Sequence, residues 1–113
     1  MKRIAFLCLM VMGFLSGCSD LDSDKVYFFT KTECPYCQKA EQYISKQYPN
    51  LNIEYKNIKT PANKALFAKC ARKADIPKSK WGTPLICMGD NVFLGWSDKT
   101  KSKFDELAKN FQK

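Results

Sequence analysis

The spacing of apolar residues changes repeatedly along this chain, and each change marks an element. Val26, Tyr27, Phe28 and Phe29 form a near-continuous apolar run closed by Thr30, which predicts a strand covered on both faces. From Pro35 onward Cys37, Ala40, Ile44 and Tyr48 recur at helical spacing with Tyr43 beside them, and Pro49-Asn50 ends the helix. Over residues 52–58, Ile53 and Tyr55 alternate with polar residues, as in a more exposed strand. Thr60-Pro61 reads as an N-cap followed by a first-turn proline, opening a helix through Ala74 whose inner face is Leu66, Phe67, Cys70 and Ala74. Asp75-Ile76-Pro77 stops it. Residues 84–88 and 92–96 are two apolar runs around Gly89-Asp90-Asn91, a hairpin pattern. Phe104, Leu107, Ala108 and Phe111 then fall at i, i+3, i+4 and i+7 of a last helix. The order is β-α-β-α-β-β-α, without repeats or low-complexity tracts.

Ahead of this pattern the chain has a different character. Met1-Lys2-Arg3 is a short basic start, and the apolar segment 4–15, broken only by Gly13, is too short to span a bilayer but suits the core of a secretory signal. Leu15-Ser16-Gly17-Cys18 at its end resembles the lipobox of bacterial lipoproteins. That resemblance implies cleavage before Cys18 and acylation of its thiol, dividing the chain into a signal peptide (1–17), a lipid-anchored tether (18–25) and one domain (26–113). An ordinary signal peptide, with Cys18 left as a spare thiol, is the alternative. A tether from Ser19 to Lys25 reaches at most about 25 Å, so the active site is expected close to a membrane, on the periplasmic side. Which membrane stays open.

The full chain carries 19 Lys and Arg against 11 Asp and Glu. Removing Lys2 and Arg3 with the signal leaves an excess of six positive charges. The lysines are scattered over all the helical stretches instead of clustering with aromatics, so no nucleic-acid partner is expected; the basic surface favours anionic headgroups or acidic client proteins.

The chemistry is concentrated in Cys34-Pro35-Tyr36-Cys37, directly after the first strand. With Pro35 at the first helical position, Cys34 sits at the N-cap and Cys37 almost one turn further in on the same side. Free N–H groups and the positive end of the helix dipole then point at the Cys34 sulfur, and Lys31 adds positive charge, so the thiolate is favoured. Helix-start cysteines ionise at about pH 3.5–7.5, against about 8.5 for a free thiol. Cys34 is therefore expected as the exposed nucleophile and Cys37 as the buried resolving thiol. A static bridge across two residues is a poor staple, because it removes little entropy from the unfolded chain. A zinc site needs a second ligand pair, but the chain has no His, and Cys70 and Cys87 are not spaced as one. No metal ligand is assigned.

The segment from Phe29 through Lys31 to Cys34-Pro35-Tyr36-Cys37 closely resembles the active-site segment of glutaredoxins, members of the thioredoxin superfamily. Gly82-Thr83-Pro84-Leu85-Ile86, then Gly89-Asp90 and Gly95-Trp96-Ser97-Asp98, are similar to the later part of that family's sequence. The resemblance implies a thioredoxin/glutaredoxin fold, with a mixed four-stranded sheet flanked by helices. It implies a cis Thr83-Pro84 bond that sets the Thr83 backbone opposite Cys34 for substrate docking. It also implies a glutathione or client contact at Gly95, Trp96, Ser97 and Asp98, although the indole of Trp96 stands where glutaredoxins have a second glycine. Thr83 departs from the usual valine, and Gly-Thr-Pro is closer to periplasmic disulfide isomerases and reductases.

The expected function is extracytoplasmic thiol–disulfide exchange. Cys34 attacks, Cys37 resolves, Lys31, Pro35 and Tyr36 support the thiolate or substrate, and Thr83 and Pro84 dock the client. Protein disulfides are the expected clients of a monomer that is recharged by an integral-membrane redox partner; no tightly bound cofactor is expected, and glutathione is left open as a co-substrate. Related dithiol enzymes span about −270 to −120 mV, a range that a two-residue insert does not resolve; Thr83 and Pro35-Tyr36 favour reductase or isomerase over oxidant. Outside enzymology, a partner-binding module at the sheet edge beside Pro84 and a metal or iron–sulfur carrier remain as alternatives. Cys70 and Cys87 are expected as two buried thiols or as a structural bridge.

Overall fold

The apolar run at Val26–Thr30 forms β1, buried along nearly its whole length between two packed layers. The computed structural model describes residues 21–112. After β1 come α1 (Pro35–Gln47), β2 (Ile53–Asn57), α2 (Pro61–Lys73), a 3-10 turn (Lys78–Lys80), β3 (Leu85–Met88), β4 (Asn91–Leu94), α3 (Asp98–Ala108) and a closing 3-10 turn (Lys109–Phe111). The sheet order is β2-β1-β3-β4. β1 and β2 run parallel, while β1–β3 and β3–β4 are antiparallel.

Because side chains alternate across a strand, one continuous apolar run supplies two cores. Val26 and Phe28 join Ile86 and Met88 on one face, under Cys37, Ala40 and Ile44 of α1 and Phe104 and Ala108 of α3. Tyr27 and Phe29 join Leu85 and Cys87 on the other, under Phe67, Cys70 and Ala71 of α2. The element order and the mixed four-stranded sheet agree with the sequence reading.

Four boundaries differ from it. Ala71, not Ala74, completes the buried face of α2, because the helix ends there in a Schellman motif. Asp75 adopts a left-handed φ of 58°, its N–H donates to the Arg72 carbonyl, and the Ile76 N–H donates to the Ala71 carbonyl. In the hairpin Met88 pairs with Asn91, so the turn is only Gly89-Asp90, with Gly89 at φ +61°. β4 stops at Leu94 because Gly95, at φ +86°, turns the chain and donates its N–H to the Pro84 carbonyl at 2.8 Å. The last helix changes to 3-10 geometry before Phe111.

The segment 21–25, read from sequence as the latter part of a tether, is packed against the domain. Leu21 lies on the α2-side core, the Asp22 N–H donates to the Tyr27 hydroxyl at 2.9 Å, and Lys25 pairs with Glu54 at 2.7 Å. The lipobox and the signal segment lie outside the described residues.

Candidate functional site

Two parallel strands, β1 and β2, end side by side at Thr30 and Asn57. α1 and α2 begin just beyond them, so both helix N-termini open at the same end of the sheet. This is where open α/β sheets bind their ligands.

Cys34 is the N-cap of α1, in extended conformation, with Pro35 at the first helical position. Its sulfur accepts the Cys37 N–H at 3.2 Å, and its carbonyl accepts the Gln38 N–H at 3.1 Å. Cys34 and Cys37 are joined as a disulfide, with Cα atoms 5.2 Å apart. Sequence spacing predicts an exposed Cys34, but the residue is only 7% exposed, against 1% for Cys37. The covering group comes from a distant part of the chain. The Thr83-Pro84 bond is cis, Pro84 is fully buried, and the Thr83 hydroxyl donates to the Cys34 sulfur at 3.4 Å. Cys34 is still the more exposed residue of the pair.

The loop entering α1 contributes three exposed residues, Lys31, Thr32 and Glu33. Glu33 holds a left-handed φ of 64°, a conformation that costs a non-glycine residue about 1–2 kcal/mol. No sequence signal marks it. Asn57 ties the loop to its neighbours: its amide donates to the Thr32 hydroxyl at 3.4 Å, its side-chain oxygen accepts the Lys59 N–H at 2.9 Å, and its carbonyl accepts the Asn63 amide at 3.0 Å. An asparagine at a strand end ahead of Thr60-Pro61 is the turn chemistry that marks such a position. Tyr36 stands out from the surface at 58% exposure, with the Lys39 ammonium 5.7 Å from its ring.

Gly95, Trp96, Ser97 and Asp98 each have a place in the fold. Gly95 makes the turn after β4. Trp96 is half-buried, its ring 5.7 Å from that of Tyr43 and 6.1 Å from that of Phe104. Ser97 caps α3 by accepting the Thr100 N–H at 3.3 Å, and Asp98 is exposed in the first turn. Behind Trp96, Asp105 of α3 accepts hydrogen bonds from the hydroxyls of Tyr43 at 2.8 Å and Tyr48 at 2.6 Å, clamping α1 to α3. Burial and this carboxylate push both phenols above the usual tyrosine range, Tyr48 furthest. At the far edge, Lys25 and Lys56 hold the Glu54 carboxyl below its ordinary value.

Cys70 and Cys87 form a second disulfide, Cα atoms 6.6 Å apart, between α2 and β3. Both residues are buried, on the sheet face opposite the one that packs Cys34 and Cys37. Among the described residues no three His, Cys, Asp or Glu side chains gather as a metal site.

No family model matches this chain, and no curated protein matches its sequence. Solved structures do resemble it. A mutant of a thioredoxin-like protein superposes with a TM-score of 0.55 at 17% identity, over 74% of this chain and 96% of that one. The glutaredoxin of Archaeoglobus fulgidus gives 0.49 at 16% identity, over 83% of this chain and 90% of its own. A buckwheat glutaredoxin in complex with glutathione gives 0.49 at 16% identity, over 77% and 74%. The likeness to the first of these and the sheet topology agree: the chain has the thioredoxin fold, with its Cys-X-X-Cys pair at the start of the first helix.

Proposed function

We propose that this protein is an extracytoplasmic thiol–disulfide oxidoreductase, anchored by lipid at Cys18, that reduces or isomerises protein disulfides through Cys34 and Cys37. The observation that carries the reading is the environment of the Cys34 sulfur. It stands at a helix N-terminus, where the Cys37 N–H and the Thr83 hydroxyl both donate to it. Such donors stabilise a thiolate more than a thiol.

In the reduced protein the Cys34 thiolate attacks one sulfur of a client disulfide. A Cys34–client bond forms, and the client's other sulfur leaves as a thiolate. The Cys37 thiol loses its proton and attacks the Cys34 sulfur, releasing the second client thiol and forming the Cys34–Cys37 bond. Two electrons pass to the client, so a dithiol donor must restore the pair. An integral-membrane redox partner serves that role for an anchored protein working as a monomer. The Thr83-Pro84 edge docks the client. Lys31 and the α1 dipole lower the cost of the thiolate.

The second disulfide supports the location. A buried cystine bonded away from the reacting pair is typical of oxidising compartments and rare in the cytosol. The test uses Cys34→Ser and Cys37→Ser proteins on a model protein disulfide. Cys34→Ser is expected to lose turnover, whereas Cys37→Ser accumulates mixed disulfides with clients; adducts on the Cys34 variant instead would reverse the roles. A palmitate label that still enters a Cys18→Ala variant would remove the lipid anchor from the reading.

A further inference from the structure

The reactive end of the domain carries a feature that disulfide exchange alone does not use. Between the loop after β1 and the start of α2 lies an open groove of about 550 Å³, walled by Lys31, Thr32, Glu33, Ile58, Lys59 and Lys64. Three lysines and one glutamate are among the residues that line it. Elsewhere on the surface Lys25 and Lys56 pair with Glu54, Lys73 pairs with Asp90, and Lys101 lies over the Tyr43 ring. Among the described residues, neither Lys31, Lys59 nor Lys64 has an acidic side chain within ion-pair distance. The walls are held by the hydrogen bonds of Asn57 to Thr32, Lys59 and Asn63. At this end α2 also begins with Thr60, whose side chain makes no capping bond, so the positive end of the helix dipole reinforces the lysines.

The groove is continuous with the active-site loop, because Lys31, Thr32 and Glu33 are the three residues before Cys34. We infer that it receives an acidic stretch of the client polypeptide flanking the disulfide that Cys34 attacks. The inference rests on the exchange chemistry proposed above and adds to it a preference among clients. The client's carboxylates complement three lysines that have no acidic partner among the described residues, in a held groove one residue from the nucleophile. Exposed charge pairs of this kind steer encounter and depend on salt.

The test separates binding from chemistry. A fluorescent peptide rich in glutamate and lacking cysteine is titrated into the wild-type protein, the Lys59→Gln/Lys64→Gln variant and a Lys99→Gln/Lys103→Gln variant of equal charge altered elsewhere. The first variant is expected to bind about fivefold more weakly than wild type at low salt. The second should match wild type, and raising salt to about 0.5 M should erase the difference. In the paired activity assay, a disulfide flanked by glutamates should be reduced about fivefold faster than one flanked by glutamines, with the preference lost in Lys59→Gln/Lys64→Gln. Equal binding by the wild type and the Lys59/Lys64 variant, or equal weakening in the Lys99/Lys103 variant, would overturn the groove. So would a lysine dependence confined to glutathione disulfide. Because the binding peptide has no thiol, loss of exchange activity with binding retained would count against the function proposed above and leave the groove standing.

Discussion

Replacing Cys70 and Cys87 together by alanine should weaken the fold without touching the chemistry. The bond links positions 17 residues apart, and closing a loop of that length removes about 10 cal/mol/K from the unfolded chain, or about 3 kcal/mol at 25 °C. In a domain of this size, with about 5–15 kcal/mol in total, that is a large share. It corresponds to a fall in Tm of about 12–24 °C. Lost sulfur packing adds to the cost, since both residues are buried between α2 and β3. The reduction potential of the Cys34–Cys37 pair should stay within about 10 mV of wild type, where about 30 mV is a tenfold change, because the pairs lie on opposite faces of the sheet. Thermal unfolding and a redox titration of the same protein give both numbers. A Tm within a few degrees of wild type, or a shifted potential, would refute the assignment of this bond as structural and separate.

Thr83→Val removes the hydroxyl that donates to the Cys34 sulfur; losing one hydrogen bond to a charged acceptor, worth about 1.5–3 kcal/mol, should raise the Cys34 thiol pKa by about one unit or more. Iodoacetamide alkylation followed against pH measures this, and an unmoved profile would show that the hydroxyl contributes nothing to the thiolate. Asp105→Ala strips the shared acceptor from Tyr43 and Tyr48 and should cost about 1–3 kcal/mol in urea. Both phenols are raised in the folded state, by burial first and by Asp105 second. The stability they add is therefore full below the ordinary tyrosine pKa of about 10 and is lost as pH rises above it. The variant should show a shallower alkaline decline, and an alkaline limb as steep as wild type would contradict this account.

Local pattern carried most of the architecture. The run Val26 to Phe29, the helical spacing after Pro35 and the Gly89-Asp90 turn each state a period or a turn chemistry that few other structures satisfy. What was not legible depends on contacts between distant positions. The cis Thr83-Pro84 bond and its place opposite Cys34 were legible through the resemblance to glutaredoxins, but that the Thr83 hydroxyl bonds the Cys34 sulfur and leaves the residue nearly buried was not. Ala71 replaced Ala74 on the buried face because Ala74 is the cap residue, where the Schellman turn through Asp75 takes the chain off the helix. The Tyr43–Tyr48–Asp105 clamp joins helices that share no motif, and the pairing of Cys70 with Cys87 needed the Cα separation that only the folded sheet supplies.

The packing of residues 21–25 gives the domain two poles. Leu21 and Asp22 enter beside the start of β1 and the Gly89 turn, while Cys34 lies past the opposite end of the same strand. The five residues of β1, at about 3.3 Å each, separate these poles by about 16 Å. Anything that holds the molecule through its N-terminal side therefore grips the end remote from the reacting sulfur. Held on a surface by that side, the domain would stand with Cys34 and Cys37 outward, open to clients arriving from the aqueous side.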